Sequence, residues 1–229
     1  MRAPIILALL CAADVHAADP VLDAVFQRMD KASTTFKGFT SDFVRIDHSD
    51  LVDVNDRSVG TFALRKSGPH SLQVLEKIDT LNGKPDAVIT EFVGTRVTVY
   101  HPQTNGPATE YEFGKKYRGV EEAALGVFGG SSKDLQQDYK VAFGGAGSVD
   151  GRPAARLILN PNEPQLAQTF PKIEIWISDA TGIAVQQKLY EKGEKDYHLL
   201  TYSNMKLGPV GENQVKLNLP RGVKIERPR

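Results

Sequence analysis

The sequence predicts a mainly β chain with a few helices, an α+β protein dominated by an antiparallel sheet. Three observations predict it. Ile173, Ile175 and Ile177 interleave with Lys172, Glu174 and Trp176, and Asp179-Ala180-Thr181-Gly182 then turns the chain back. Ile183, Val185 and Leu189 continue the alternation as far as the next turn at Gly193. Side chains alternate faces along a strand, so this series builds a meander with one apolar face. Finally, Asp19-Pro20 places a capping carboxylate before a first-turn proline, and Leu22, Val25, Phe26, Met29 and Ala32 recur at helical spacing.

Each further element follows from its pattern. Phe39–Ile46 alternates Phe39, Ser41 and Phe43 against Thr40, Asp42 and Val44. Val59–Leu64 and His70–Ile78 read as strands, Gly60 marking a bulge or a close approach of backbone. A polar loop with Asn82-Gly83 leads into a hairpin over Ala87–Tyr100, turning at Gly94 and ended by His101-Pro102. After a short strand at Thr109–Phe113, Gly119–Gln137 favours helix but is interrupted by Gly126 and Gly129-Gly130. Strands resume at Tyr139–Phe143, Arg156–Leu159, Lys172–Ser178, Ile183–Tyr190, Tyr197–Leu207 and Gln214–Leu219.

Residues 1–17 read as a cleaved secretory signal: Arg2, the apolar run Ile5–Ala13, and Val15-His16-Ala17 before the cut. That run is too short to span a bilayer. Leu10 before Cys11 departs from a lipobox, so Cys11 belongs to the discarded leader. Residues 18–229 then form a single exported domain without cysteine, which excludes disulfides, thiol nucleophiles and thiolate metal sites. The 28 basic and 28 acidic residues balance. No electrostatic term therefore points to nucleic acid as a partner.

Catalytic signatures are missing from the pattern. His48, His70, His101 and His198 show no metal-ligand spacing and read as surface or hairpin positions. Ser131-Ser132-Lys133 lacks a nucleophile-elbow frame, and no phosphate loop occurs. We expect no catalytic residues, no metal and no cofactor. The basic tail of Arg221, Lys224, Arg227 and Arg229 reads as a solvated, frayed terminus.

Several motifs together resemble the periplasmic lipoprotein carrier LolA and the wider superfamily of outer-membrane lipoprotein-sorting proteins. They are Phe39-Thr40-Ser41-Asp42-Phe43, the hairpin Val93-Gly94-Thr95-Arg96-Val97-Thr98-Val99-Tyr100-His101-Pro102, Leu159-Asn160-Pro161, Asp179-Ala180-Thr181-Gly182 and Leu219-Pro220-Arg221-Gly222-Val223. The resemblance implies a strongly curved antiparallel sheet, an unclosed β-barrel, whose concave side is covered by the N-terminal helix and a glycine-broken helical lid. It implies a monomeric, non-enzymatic periplasmic carrier that holds acyl chains of lipoproteins or related lipids and moves them toward the outer membrane. An inner-membrane ABC exporter and an outer-membrane acceptor are the implied partners. The alternative is a lipid-sensing module of an envelope regulatory or lipid-transport system.

Burial of one acyl chain of about 16 carbons is worth on the order of 10 kcal/mol gross, so no polar chemistry is needed to hold it. The candidate cavity wall is Phe43, Phe62, Ile89, Val97, Val99, Ile173, Ile175 and Ile177, with Leu125, Val127 and Phe128 on the lid. Each has ordinary core as its alternative role, and the lid segment has a static packed helix as its own. Arg65 and Lys66 read as a solvated charge pair at a strand end. The family's lid-locking arginine implies that one of them bonds lid carbonyls, although Ser67-Gly68 before Pro69 departs from the family pattern.

Overall fold

The structure, a computed structural model, describes residues 19–68, 71–112 and 127–228. The signal segment 1–17, His70, Arg229 and the first part of the expected lid, Leu125 included, lie outside the described residues. Helix α1 (Pro20–Thr35) starts as its cap requires, Asp19 accepting the Val21 N–H at 3.0 Å. Its Val25, Phe26 and Met29 are buried, with Leu22 and Ala32 packed alongside.

Two meanders follow. The first comprises β1 (Gly38–Ser49), β2 (Val54–Gly68), β3 (Ser71–Leu81), β4 (Lys84–Val93), β5 (Arg96–Tyr100) and β6 (Ala108–Glu112). Helix α2 (Ser132–Asp138) precedes the second: β7 (Tyr139–Val149), β8 (Arg152–Pro161), β9 (Lys172–Ser178), β10 (Ala184–Tyr190) and β11 (Tyr197–Leu207). A short helix α3 (Pro164–Thr169) sits between β8 and β9, and β12 (Ile225–Glu226) ends the sheet. The meanders join where β11 pairs antiparallel with β1, giving a single sheet ordered β12-β6-β5-β4-β3-β2-β1-β11-β10-β9-β8-β7. Its edges β12 and β7 do not meet. The fold is an open half-barrel with helices against its inner side.

Register decides which residues face inward. Across β2 to β5, Leu64, Val74, Phe92 and Val97 pair in one row, and Phe62, Glu76, Thr90 and Val99 in the next. Across the other half, Leu157, Ile175 and Gln187 share a row, as do Leu159, Ile173 and Leu189. These rows meet α1 and α2 in one apolar core. Gly60 is both a bulge and a close approach: the β2–β3 register shifts there, and an added Cβ would lie 1.8 Å from the Lys77 carbonyl oxygen.

Two expectations about the C-terminal end are corrected. Gln214–Leu219 is not a strand: it follows a 3₁₀ turn at Glu212–Gln214 and runs as an irregular strap. The strap meets β1 where Gly208 N–H bonds Gly38 O at 3.0 Å and meets β4 where Leu217 N–H bonds Glu91 Oε1 at 2.9 Å. Strands β1 to β5 already have neighbours on both sides, so the strap crosses the outer face instead of adding to the ladder. Nor is the basic tail frayed, because β12 pairs parallel with β6 and Arg227 Nε donates to Glu110 at 2.6 Å. Helix α3 has no counterpart among the sequence expectations, although Glu163-Pro164 repeats the acidic-cap-then-proline order, with Glu163 accepting the Leu166 N–H at 2.6 Å.

Gly60→Ala forces β2 away from β3 and is expected to lower stability by about 3 kcal/mol, read from the shift of the urea midpoint.

Candidate functional site

The inner face is built around aromatic rings. Phe39 and Phe43 come from β1, Phe62 from β2, Tyr202 from β11 and Phe128 from the segment before α2. Phe128 lies 5.1 Å from Phe39, 6.2 Å from Phe62 and 5.0 Å from Tyr202, ring centre to ring centre, the last edge-on. Phe62 and Tyr202 are 5.0 Å apart and Phe43 and Tyr202 5.6 Å. Tilted and edge-on pairs at these separations match the ring quadrupoles as well as excluding water. Val127 and Phe128 are buried, and Ile173, Ile175 and Ile177 form the fully buried wall of the second meander.

The segment carrying Phe128 is anchored at three points. Lys66 Nζ donates to the Gly129 carbonyl at 3.5 Å, reaching from the end of β2. Gly129 sits at φ +67°, and a Cβ there would lie 1.9 Å from the Phe36 ring, so the segment lies flush against the end of α1. At the start of α2, the Asp30 carboxylate of α1 accepts from Ser132 N at 2.6 Å and from Ser132 Oγ at 2.9 Å. The helix itself is held by a capping box between Ser131 and Asp134.

Toward the other end of the sheet the inner face turns polar. Glu76 of β3, 8% exposed, accepts from Arg45 of β1 at 3.2 Å. Arg45 Nε also bonds Asp47 at 3.0 Å, and Asp47 meets His198 Nδ1 at 2.6 Å. His198 Nε2 meets Glu191 at 2.9 Å, and the Phe170 ring lies edge-on at 6.1 Å. Burial pushes the Glu76 carboxyl above the usual range against the pull of Arg45. The hydrogen bond that His198 makes to Asp47, reinforced by Glu191, raises His198 above its ordinary value despite partial burial. At Asp47 burial works upward, yet its bond to His198 and the charge of Arg45 bring it below the usual carboxylate value. Deeper in, Gln187 Nε2 donates to the buried Tyr202 hydroxyl at 3.0 Å. No group among the described residues could hold a metal ion. A depression of about 420 Å³ lined by Ala167, Gln168, Pro171 and Lys192–Glu194 lies outside the aromatic cluster.

No protein-family model matches the chain, and no curated protein matches it. Solved structures do. An uncharacterized conserved protein from Thermus thermophilus superposes with a TM-score of 0.54 at 12% identity, over 91% of this chain and 99% of that one. An outer-membrane lipoprotein-sorting protein domain from Vibrio parahaemolyticus is similar at 9% identity over 83% and 94%, with a TM-score of 0.45. MucB, in the Pseudomonas aeruginosa MucA/MucB complex, is similar at 15% identity with a TM-score of 0.46, and the match spans 86% of this chain but 61% of that one. At these identities the likeness to the Thermus thermophilus protein shows a shared fold alone.

Within this open half-barrel the expected wall residues are not all neighbours. Phe43, Phe62, Val127, Phe128, Ile173, Ile175 and Ile177 belong to one buried cluster. Val97 and Val99 are on the same inner face but further out, on β5. Ile89 is a correction: it pairs with Lys77 and Tyr100, one position off the inward parity set by Phe92 and Val97, so it faces outward. Of the two cations at the end of β2, Lys66 reaches the Gly129 carbonyl, whereas Arg65 bonds Gln73 at 3.0 Å and pairs with Glu212 at 3.6 Å. Phe39 and Tyr202 join the site beyond the sequence-based candidates, and the parity that Phe39 shares with Phe43 is the signal that marks it. His198 is a second correction: it is no simple hairpin histidine but bridges carboxylates on two elements.

A raised folded-state value means that His198 stabilises fully below the unfolded value near 6.5 and loses that contribution as pH climbs through the folded value. Stability is therefore expected to fall as pH rises above about 6.5 in the native chain and to stay flatter in His198→Gln, measured as thermal midpoints across neutral and mildly alkaline pH.

Proposed function

We propose that this chain is a periplasmic carrier that binds acyl chains of lipoproteins or related lipids between the inner face of the sheet and the segment bearing Phe128, and releases them without catalysis. The observation that carries the reading is the way Phe128 enters the cluster. It stands on a glycine-flanked segment, inserts among Phe39, Phe62 and Tyr202, and is fastened beside the ring by polar contacts at Gly129 and Ser132. An acyl chain that takes the place of that ring exchanges one apolar contact for another, so exchange costs little solvent exposure.

The lid anchor fits this use. A lysine holding a backbone carbonyl at 3.5 Å is a weak clasp, strong enough to bias closure and easy to release. The signal-like leader and the absence of cysteine after it support work in the envelope, where no nucleotide drives release. A deformable aromatic cluster then serves better than a rigid slot. The reading as a lipid sensor uses the same cluster and differs in its partner.

Native mass spectrometry of gently purified protein is expected to reveal lipid or lipopeptide adducts, and a fluorescent fatty acid is expected to bind with its emission enhanced. Phe128→Asp should weaken that uptake at least about tenfold while circular dichroism stays native. Lys66→Ala should leave affinity within a few-fold but accelerate probe release in stopped-flow exchange. A uniformly empty protein that ignores acyl probes would reject the carrier reading.

A further inference from the structure

The tip of the β1–β2 hairpin holds large apolar side chains out in water. Leu51, Val52 and Val54 are 90%, 62% and 44% exposed. The tip is braced. Asp50 N–H donates to Asp196 Oδ1 at 2.7 Å, and Lys195 Nζ donates to the Asp50 carboxylate at 2.8 Å, fastening it to the β10–β11 turn. On its other flank, Arg57 N–H donates to Asn82 Oδ1 at 2.8 Å, and Asn82 Nδ2 donates to Asp56 at 2.8 Å. These ties to both neighbouring turns hold the hairpin with its apolar tip pointing away from the core. It lies at the end of the sheet that bears Asp47 and His198, opposite the Lys66–Gly129 anchor.

Size and charge select the partner. Three side chains fall far short of the roughly 1,200 Å² that a stable protein–protein contact buries. A few apolar side chains entering the boundary between headgroups and acyl chains give weak, reversible attachment, which suits so small a patch. Asp50, Asp53, Asp56 and Asp196 surround the tip against Lys195 and Arg57. Attraction to anionic headgroups is therefore not the driving term; apolar burial is.

We propose that this tip is a membrane-contacting element: Leu51 and Val52 insert shallowly into a lipid bilayer surface. The contact stands on the exposed tip alone. Only its use, bringing the polar end of the inner face to the lipid surface, rests on the carrier reading.

The test uses the exported chain with vesicles of phosphatidylethanolamine and phosphatidylglycerol. A Leu51→Cys variant, with Cys11→Ser where the leader is retained, carries an environment-sensitive dye at the tip. Vesicles are expected to shift its emission to the blue and raise it several-fold. In flotation, Leu51→Asp/Val52→Asp should reduce the vesicle-bound fraction about tenfold, with uptake of a fluorescent fatty acid from solution unchanged. Attachment should persist when salt is raised from about 0.1 to about 0.5 M. The proposal is overturned if the native chain does not float, if the double variant floats equally well, or if the dye stays in water while the chain is bound. It is also overturned if the variant instead turns a dimer into a monomer by sedimentation. Failure of fatty-acid uptake in both chains would reject the carrier reading, while flotation would still decide the tip.

Discussion

An unclosed sheet whose inner face is apolar over most of its core must have that face covered, and almost everything else in this molecule answers to that need. Two meanders zipped at β1–β11 give a wall of Phe39, Phe43, Phe62, Ile173, Ile175 and Ile177, all buried. Closing the barrel would have hidden these residues between strands. With the edges left apart, α1 and the Phe128 segment do the work, and each makes its own contacts with the wall. Cover and wall are thus separate pieces of chain. That separation is the physical condition for a cover that moves without unfolding the sheet.

The two ends of the inner face differ in chemistry. One end is apolar, closed by Phe36, Phe128 and the Lys66–Gly129 contact. The other carries Glu76, Arg45, Asp47, His198 and Glu191 in a chain of charge-assisted bonds spanning three strands and a turn. Such bonds are worth most where water is scarce, and each group left alone there would be costly. The network fixes the relative positions of β1, β3 and β11 at the end where the aromatic cluster no longer does so. On the outer face, the strap between β11 and β12 buries Val215 along a face where Leu75, Thr98 and Tyr100 are also buried, and β12 covers the edge of β6.

Much of this is legible in the residues. The alternation of Ile173, Ile175 and Ile177, the cap at Asp19-Pro20, the turn at Gly94 and the bulge at Gly60 all stand where local patterns put them. Local patterns work there because each depends on a period or a backbone conformation that a few neighbouring residues set alone. The misreadings share a different cause. Ile89 reads as inward because it is apolar, but its face follows from pairing register, which a hairpin arm does not reveal by composition. Val54–Ser58 carries polar residues and does not read as strand, yet it extends β2 because β1 pairs along its whole length. His198 gains its carboxylate partners from elements about 150 and seven residues away in sequence, a juxtaposition no spacing rule describes.

The amino-acid order by itself determined the mainly β character of the chain, the first helix and the positions of most turns. These depend on composition and on interactions within a few residues. Tertiary structure alone decided that β11 returns to β1, that Lys66 rather than Arg65 reaches Gly129, that the C-terminal segment straps the outer face, and that Leu51 and Val52 are left in water. Those outcomes depend on which strand edges are already hydrogen-bonded and which faces are already covered, and both are known only once the whole sheet has assembled.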